Sequence, residues 1–137
     1  MSDRYAIAAA TFYEELAQKL IDGARSVFEE AGHVVDVFEV PGAFELPMAA
    51  KICAESGSYK GIACVGAVIR GETTHYEYVC TESARGIQNV QLETGVPCGF
   101  GLLTVENYDQ ALERVGPKRH QGADAARAVL ALAALKG

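Results

Sequence analysis

Apolar positions along the chain change period several times. Tyr5–Thr11 reads Tyr-Ala-Ile-Ala-Ala-Ala-Thr, a short continuous apolar run that predicts a buried strand. From Glu14 to Ala31 the apolar residues Leu16, Leu20, Ala24, Val27 and Phe28 recur at helical spacing, and Gly32 is a natural stop. Val34–Val40 predicts a second strand and Pro41-Gly42-Ala43 a turn. Glu45–Ser56 then predicts a helix with Pro47 in its first turn, where a missing N–H is tolerated. Gly61–Val68 is a third strand. Thr74 to about Glu93 is a long helix with Tyr76, Val79, Cys80, Ser83, Ile87 and Val90 on one face. Gly86, inside that helix, marks a place of close packing. Pro97–Thr104 is a fourth strand, Asn107–Val115 a short helix and Ala123–Leu135 the last helix.

Strands separated by helices imply right-handed crossovers and a parallel sheet covered on both faces. The continuous apolar character of Gly61–Val68 and Phe100–Leu103 agrees with burial on both sides. The expected architecture is α/β: a three-layer α/β/α sandwich around a four-stranded, flavodoxin-like parallel sheet. At 137 residues the chain is long enough for one domain with a real core. It contains no repeat, low-complexity segment or Pro/Gly/Ser linker. Ligands in such sheets bind beyond the carboxyl ends of the strands. Thr11-Phe12-Tyr13, Val40 to Glu45, Val68 to His75 and Leu103-Thr104 should therefore gather.

The stretch Val65–Tyr78 carries the densest candidate chemistry. A short polar turn with an Arg, an acid, two hydroxyls and a His joins a buried strand to a helix. Thr73 or Thr74 can cap that helix, and the other free N–H groups of its first turn favour an anion such as phosphate. His75 falls in the first turn, where the helix dipole disfavours a positive charge, so it is suited to accept a proton. By itself the segment reads equally well as a plain helix start with a surface His. Phe12 could stack on a heterocycle, or simply cover the first helix. Pro41-Gly42-Ala43 could bring backbone N–H groups close to a ligand, or serve only as a turn. Arg114, with Lys118, Arg119 and His120 after it, forms a basic patch against an acidic background. His33 reads as structural or solvated.

Half the residues are hydrophobic and 22% are charged, the ordinary composition of a soluble globular protein. A net charge of −6 argues against nucleic acid or an anionic membrane surface as the main partner. No apolar stretch approaches a membrane span, and Met1-Ser2-Asp3-Arg4 leads straight into a short apolar run, so a cytoplasmic protein is expected. Cys53, Cys64, Cys80 and Cys98 are widely spaced without a CxxC, which suggests buried reduced thiols rather than a zinc site or disulfide frame. There is no P-loop, GxGxxG, GxSxG or HExxH, so readings as a nucleoside-triphosphate, dinucleotide, serine-hydrolase or zinc-protease enzyme lack support.

Four segments in order carry a family resemblance: Pro41-Gly42-Ala43-Phe44-Glu45-Leu46-Pro47, Val68-Ile69-Arg70-Gly71-Glu72-Thr73-Thr74-His75-Tyr76, Phe100-Gly101-Leu102-Leu103-Thr104 and Gln110-Ala111-Leu112-Glu113-Arg114. Together they resemble the 6,7-dimethyl-8-ribityllumazine synthases of riboflavin biosynthesis, from Phe12 to Leu135. The resemblance implies condensation of 5-amino-6-(D-ribitylamino)uracil with L-3,4-dihydroxy-2-butanone 4-phosphate, giving the lumazine, phosphate and water, with no metal or organic cofactor. It implies that Phe12 stacks on the pyrimidine. Ala43 and Glu45 match contacts to the ribityl chain, with Gly42 and Phe44 in the same substrate-binding turn. Val68 and Ile69 match backbone contacts to the uracil. Gly71, Glu72, Thr73 and Thr74 match the phosphate-side turn. His75 matches the proton-transfer residue and Arg114 the arginine on the butanone phosphate, while Phe100 matches an aromatic contributed by a neighbouring subunit. In the family the sites lie between adjacent subunits of a homopentamer, and some members assemble twelve pentamers into a 60-subunit capsid.

The chain departs from the family pattern at three places. Phe12-Tyr13 stands where Phe-Asn is usual, and Arg119-His120-Gln121-Gly122 stands where Gly-Asn-Lys-Gly is usual, so that Gln121 takes the place of a lysine near the phosphate. The segment before the first strand is short for the N-terminal arm common in the family, which favours a bare pentamer. Three alternatives remain at this level: a catalytically weak flavin- or lumazine-binding paralogue, an empty structural oligomer, and a flavodoxin-like carrier or response-regulator switch. The last is disfavoured because Thr11-Phe12-Tyr13-Glu14-Glu15 is acidic and bulky, and Asp is absent from the ends of the first and third strands.

Overall fold

The computed structural model describes residues 3–137; Met1 and Ser2, the start of the short N-terminal segment, lie outside the described residues. The elements run β1 (Arg4–Ala10), α1 (Glu14–Glu30), β2 (Val34–Val40), a tight 3-10 turn (Ala43–Glu45), α2 (Leu46–Glu55) and β3 (Ile62–Ile69). They continue through α3 (His75–Thr94), β4 (Cys98–Val105), α4 (Tyr108–Glu113) and α5 (Gln121–Lys136). All strand pairings are parallel and the order is β2-β1-β3-β4. The expected four-stranded α/β sandwich is therefore the architecture observed.

Side chains alternate across a strand, so each strand feeds two cores. Ile7 and Ala9 of β1 and Ala63, Val65 and Ala67 of β3 face α1 and α5, meeting Leu16, Leu20, Phe28 and Val129. Ala6, Ala8 and Ala10, with Ile62 and Cys64, face α2 and α3, meeting Leu46, Ala50, Ile87 and Val90. The run of alanines in β1 lets both helix layers sit close to the centre of the sheet. The edge strand β2 is only half covered, with Val34 and Phe38 exposed.

Two close approaches hold the layers. Gly86 of α3 lies over Pro47 of α2, where an added Cβ would sit 2.6 Å from the Pro47 ring, which explains the glycine in mid-helix. Gly122 of α5 lies on the backbone of Leu20 in α1, where a Cβ would collide with the Leu20 carbonyl. Helix α5 starts two residues earlier than its sequence pattern suggests, because His120 caps it: Nδ1 accepts the N–H of Ala123. His33 is structural, as its Nδ1 accepts the N–H of Asp3 and its ring leans on Tyr5. Ser83, on the apolar face of α3, is fully buried, and its hydroxyl donates to the carbonyl of Ala43 at 3.1 Å. That bond satisfies a polar group burial would otherwise penalise and ties α3 to the 3-10 turn.

The amino-terminal rim of the sheet is closed by a three-residue network. Arg4 Nη1 and the Tyr59 hydroxyl both donate to Asp36 Oδ2, at 2.9 and 2.7 Å. Burial and the bond to Asp36 push the Tyr59 phenol up to about 12.

Two stability outcomes follow from this packing. Gly86→Val forces a branched side chain into the Pro47 ring and is expected to cost about 1–3 kcal/mol, read as a lowered urea midpoint at fixed protein concentration; an unchanged midpoint contradicts the contact. A free tyrosine ionises near 10, whereas Tyr59 in the fold holds its proton to about 12. Its contribution is thus full below pH 10 and is lost as pH rises through about 12. Tyr59→Phe is expected to remove that part of the alkaline loss, and parallel falls in the urea midpoints of wild type and variant would assign the loss elsewhere.

Candidate functional site

The carboxyl ends of β1 and β3 are neighbours at the point where the strand order reverses, which is where open α/β sheets bind ligands. A cavity of about 500 Å3 opens there. Phe12 and Tyr13 come from the β1–α1 link, Gly42, Ala43, Phe44 and Glu45 from the turn after β2, and Ala67, Val68 and Ile69 from the end of β3. His75, Tyr78 and Val79 come from the first turns of α3. Its size suits a drug-sized heterocycle. Phe12 is 74% exposed and stands edge-on to Tyr13, with ring centroids 5.0 Å apart, so one face of Phe12 is open for stacking. Phe44 and Tyr78 are 60% and 69% exposed. Such apolar rings around a cleft signal a covering partner or ligand.

Local sequence explains how each wall is set. Glu45 folds back so that Oε1 accepts the N–H of Gly42 at 2.9 Å, and the Glu45 N–H donates to the Gly42 carbonyl at 3.2 Å. Of the two readings the sequence left open at Pro41-Gly42-Ala43, ligand approach or a plain turn, the Gly42 N–H serves the turn, because Glu45 already engages it. Ile69 is the last residue of β3 rather than part of the turn, since its pairing with Val105 continues the ladder.

Of the two hydroxyls offered as caps for α3, Thr73 does the work: its Oγ1 accepts the N–H of His75 at 3.3 Å. Thr74 occupies the cap position with helix-like backbone angles, and its side chain makes no capping bond. Gly71, Glu72, Thr73 and Thr74 are all exposed, as is His75. The His75 ring reaches the cavity, whereas Gly71 to Thr74 lie outside its lining.

A second group of expected site residues assembles elsewhere. Arg114 caps the C-terminus of α4 and its Nη1 donates to the Gln110 carbonyl at 2.9 Å; Glu113 Oε2 stands 3.9 Å away. Gln121 joins Arg114 to Phe100: its backbone N–H donates to the Arg114 carbonyl at 2.8 Å and its Nε2 to the Phe100 carbonyl at 3.1 Å. Val115 and His120 pair across the loop, and Lys118 and Arg119 line a neighbouring hollow. Phe100, Arg114 and Gln121 therefore share one surface, and none of them lines the cavity of His75.

Ala67, Tyr78 and Val79 line the cavity without having been named as site residues, and Tyr13 joins them from the rim segment expected to gather there. The helical period offered a signal for two of them, since Tyr78 and Val79 lie three and four residues beyond His75 on one face. Cys53, Cys64 and Cys98 are buried, and burial pushes the Cys98 thiol up to about 12 and that of Cys64 well above its usual range. These are inert thiols. Among the described residues no cluster of His, Cys, Asp or Glu is arranged to hold a metal ion, and no helix is long and apolar enough to cross a membrane.

A family model described as 6,7-dimethyl-8-ribityllumazine synthase matches residues 2–137. A 6,7-dimethyl-8-ribityllumazine synthase of Novosphingobium aromaticivorans is 48% identical over 134 residues, 97% of this chain and 96% of its own length. One of Erythrobacter litoralis is 46% identical over 97% of this chain and 95% of its own length. With a match over nearly the full length, this chain belongs to the 6,7-dimethyl-8-ribityllumazine synthase family.

Proposed function

We propose that this chain is a transferase of riboflavin biosynthesis that condenses 5-amino-6-(D-ribitylamino)uracil with L-3,4-dihydroxy-2-butanone 4-phosphate, in a cytoplasmic homopentamer, at sites shared between adjacent copies. The observation that carries the shared site is the division just described. One surface holds Phe12, the Gly42–Glu45 turn, Val68, Ile69 and His75, and the other holds Phe100, Arg114 and Gln121. A ring of subunits joined head to tail brings the first surface of one copy against the second surface of the next. That arrangement also covers the exposed rings of Phe12, Phe44 and Tyr78.

The chemistry fits the two surfaces. Phe12 stacks on the pyrimidine while the turn at Gly42, Ala43, Phe44 and Glu45 takes the ribityl chain. The amine attacks the ketone to give a carbinolamine, which loses water to an imine. Phosphate is then eliminated, the enol product tautomerises to a ketone, and the ribitylamino nitrogen attacks that carbonyl and closes the ring with loss of a second water. These steps move protons rather than demand a strong nucleophile. His75, on the cavity wall beside Val68 and Ile69, serves as the proton carrier. The neighbour's Arg114 holds the departing phosphate. Its fork has donors to spare beyond the Nη1 bond to Gln110, and we assign the exposed turn Gly71–Thr74 to the same phosphate. Gln121, in place of a lysine, holds Phe100 and Arg114 together and adds no charge, so Arg114 carries more of the phosphate binding. Holding both substrates in register supplies the rest of the acceleration.

The wild-type protein is expected to form lumazine and release phosphate above the uncatalysed background when given both substrates; no turnover from a folded oligomer overturns the reading. His75→Ala is expected to lower kcat by about 100-fold without abolishing turnover. Arg114→Ala is expected to raise the KM of the phosphate substrate by about 10-fold or more, since a charge-assisted contact is lost; a near-wild-type KM removes Arg114 from the phosphate. Mixing the two impaired variants after dissociation is expected to restore full activity at about one site in four, because some junctions then pair an intact His75 with an intact Arg114. No recovery in reassembled mixtures would place both residues in one subunit's site.

A further inference from the structure

Arg70 stands outside both surfaces, yet it touches the elements that carry them. Its backbone N–H donates to the Val105 carbonyl at 2.9 Å, one step beyond the last β3–β4 pair. Its side chain turns back across the end of β4, where Nε reaches both carboxylate oxygens of Glu106 at 3.1 and 2.9 Å. Nη1 reaches Glu77 Oε1 at 3.4 Å, and the guanidinium carbon lies 4.4 Å over the Tyr76 ring. One side chain thus grips the first turn of α3 on one side and the segment leading into α4 on the other.

The turn between these grips has little else to hold it. Gly71 to Thr74 are exposed, and an added Cβ on Gly71 would meet nothing within 4 Å. Apart from the Thr73 bond to the His75 N–H and the Glu77 N–H bond to the Thr74 carbonyl at 3.0 Å, the turn hangs between Arg70 and the two residues that Arg70 holds, Tyr76 and Glu77. His75 immediately precedes them. Successive helix residues point about 100° apart, so His75 faces the cavity while Tyr76 and Glu77 face the guanidinium. The grip also continues towards the other surface. Glu106 N–H donates to Gln110 Oε1 at 2.7 Å, and the Gln110 carbonyl accepts Arg114 Nη1 at 2.9 Å. These ion pairs are largely solvent-exposed and contribute little to stability. What a forked, stacked guanidinium does supply there is fixed geometry.

We propose that Arg70 is a positioning residue: it pins the His75-bearing turn to the end of β4 and, through Glu106 and Gln110, to Arg114. One tie then sets the spacing of the two surfaces that a subunit contributes to two different sites. This rests on the shared-site reading above. Lysine cannot replace the arginine fully, because it lacks the rigid guanidinium that reaches Glu106 through Nε and Glu77 through Nη1, and the planar face that stacks on Tyr76.

The test compares wild type, Arg70→Met, Arg70→Lys, Glu106→Gln and the double variant Arg70→Met/Glu106→Gln as assembled oligomers at a temperature where all are folded. Arg70→Met is expected to lower kcat by about 10- to 100-fold, the scale on which a small displacement of a reacting group acts. The KM of the ribitylaminopyrimidine should stay within about twofold, because other elements build its pocket. Arg70→Lys should recover part of kcat, and the double variant should be no slower than Arg70→Met alone. Amide exchange across Gly71–Glu77 should quicken in Arg70→Met. Wild-type kcat or unchanged exchange in Arg70→Met, or fully additive losses in the double variant, overturns the tie. A wild type that makes no lumazine overturns the functional reading and the positioning role with it. An active wild type with an equally active Arg70→Met overturns the positioning role alone.

Discussion

A parallel sheet buried on both faces is the constraint from which the site follows. Every strand must be followed by a helix that returns to the start of the next, so all strands finish at one rim. Here that rim brings Phe12, the Gly42–Glu45 turn, and Val68, Ile69 and His75 from three separate chain segments to one cavity. The strand order β2-β1-β3-β4 opens the crevice between β1 and β3. The alanines of β1 matter for the same reason, because small side chains let two helix layers close on the central strand.

The opposite rim and the interior are held by interactions that leave the site free. Arg4, Asp36 and Tyr59 lock β1, β2 and the approach to β3 at the amino-terminal end. Gly86 on Pro47 and Gly122 on Leu20 fix the helix layers at backbone distance. The buried Ser83 hydroxyl reaches the Ala43 carbonyl and so transmits the position of α3 to the turn on the cavity wall. Rigidity behind the site and exposure at it are complementary. Phe12, Phe44 and Tyr78 are left uncovered in one copy, an arrangement suited to a second copy completing the walls.

The change from lysine to Gln121 is instructive. A lysine there would add a charge to the Arg114 surface, whereas Gln121 spends its amide on the Phe100 carbonyl. Its backbone meanwhile holds Arg114. The residue has become an organiser of the surface. Tyr13, where the family pattern has Asn, packs its ring against the edge of Phe12 and adds to the aromatic wall.

The amino-acid pattern by itself determined the layers and the element order, and placed the boundaries to within one or two residues, because local periodicity reports which side of an element is buried. The quoted motifs determined the family, and the comparisons agree. The half-exposed edge at β2 went unread, although Asp36 and Glu39 set that strand apart from the unbroken apolar run of β3. The cap of α3 passed to Thr73, and that of α5 to His120, because capping depends on backbone angles that composition leaves open. Only the tertiary structure separated His75 from Arg114 and bound Arg70 to Glu106, a pair 36 residues apart. The physical reason is that such contacts are set by the packing of whole elements, and a local pattern carries no record of what an element will meet.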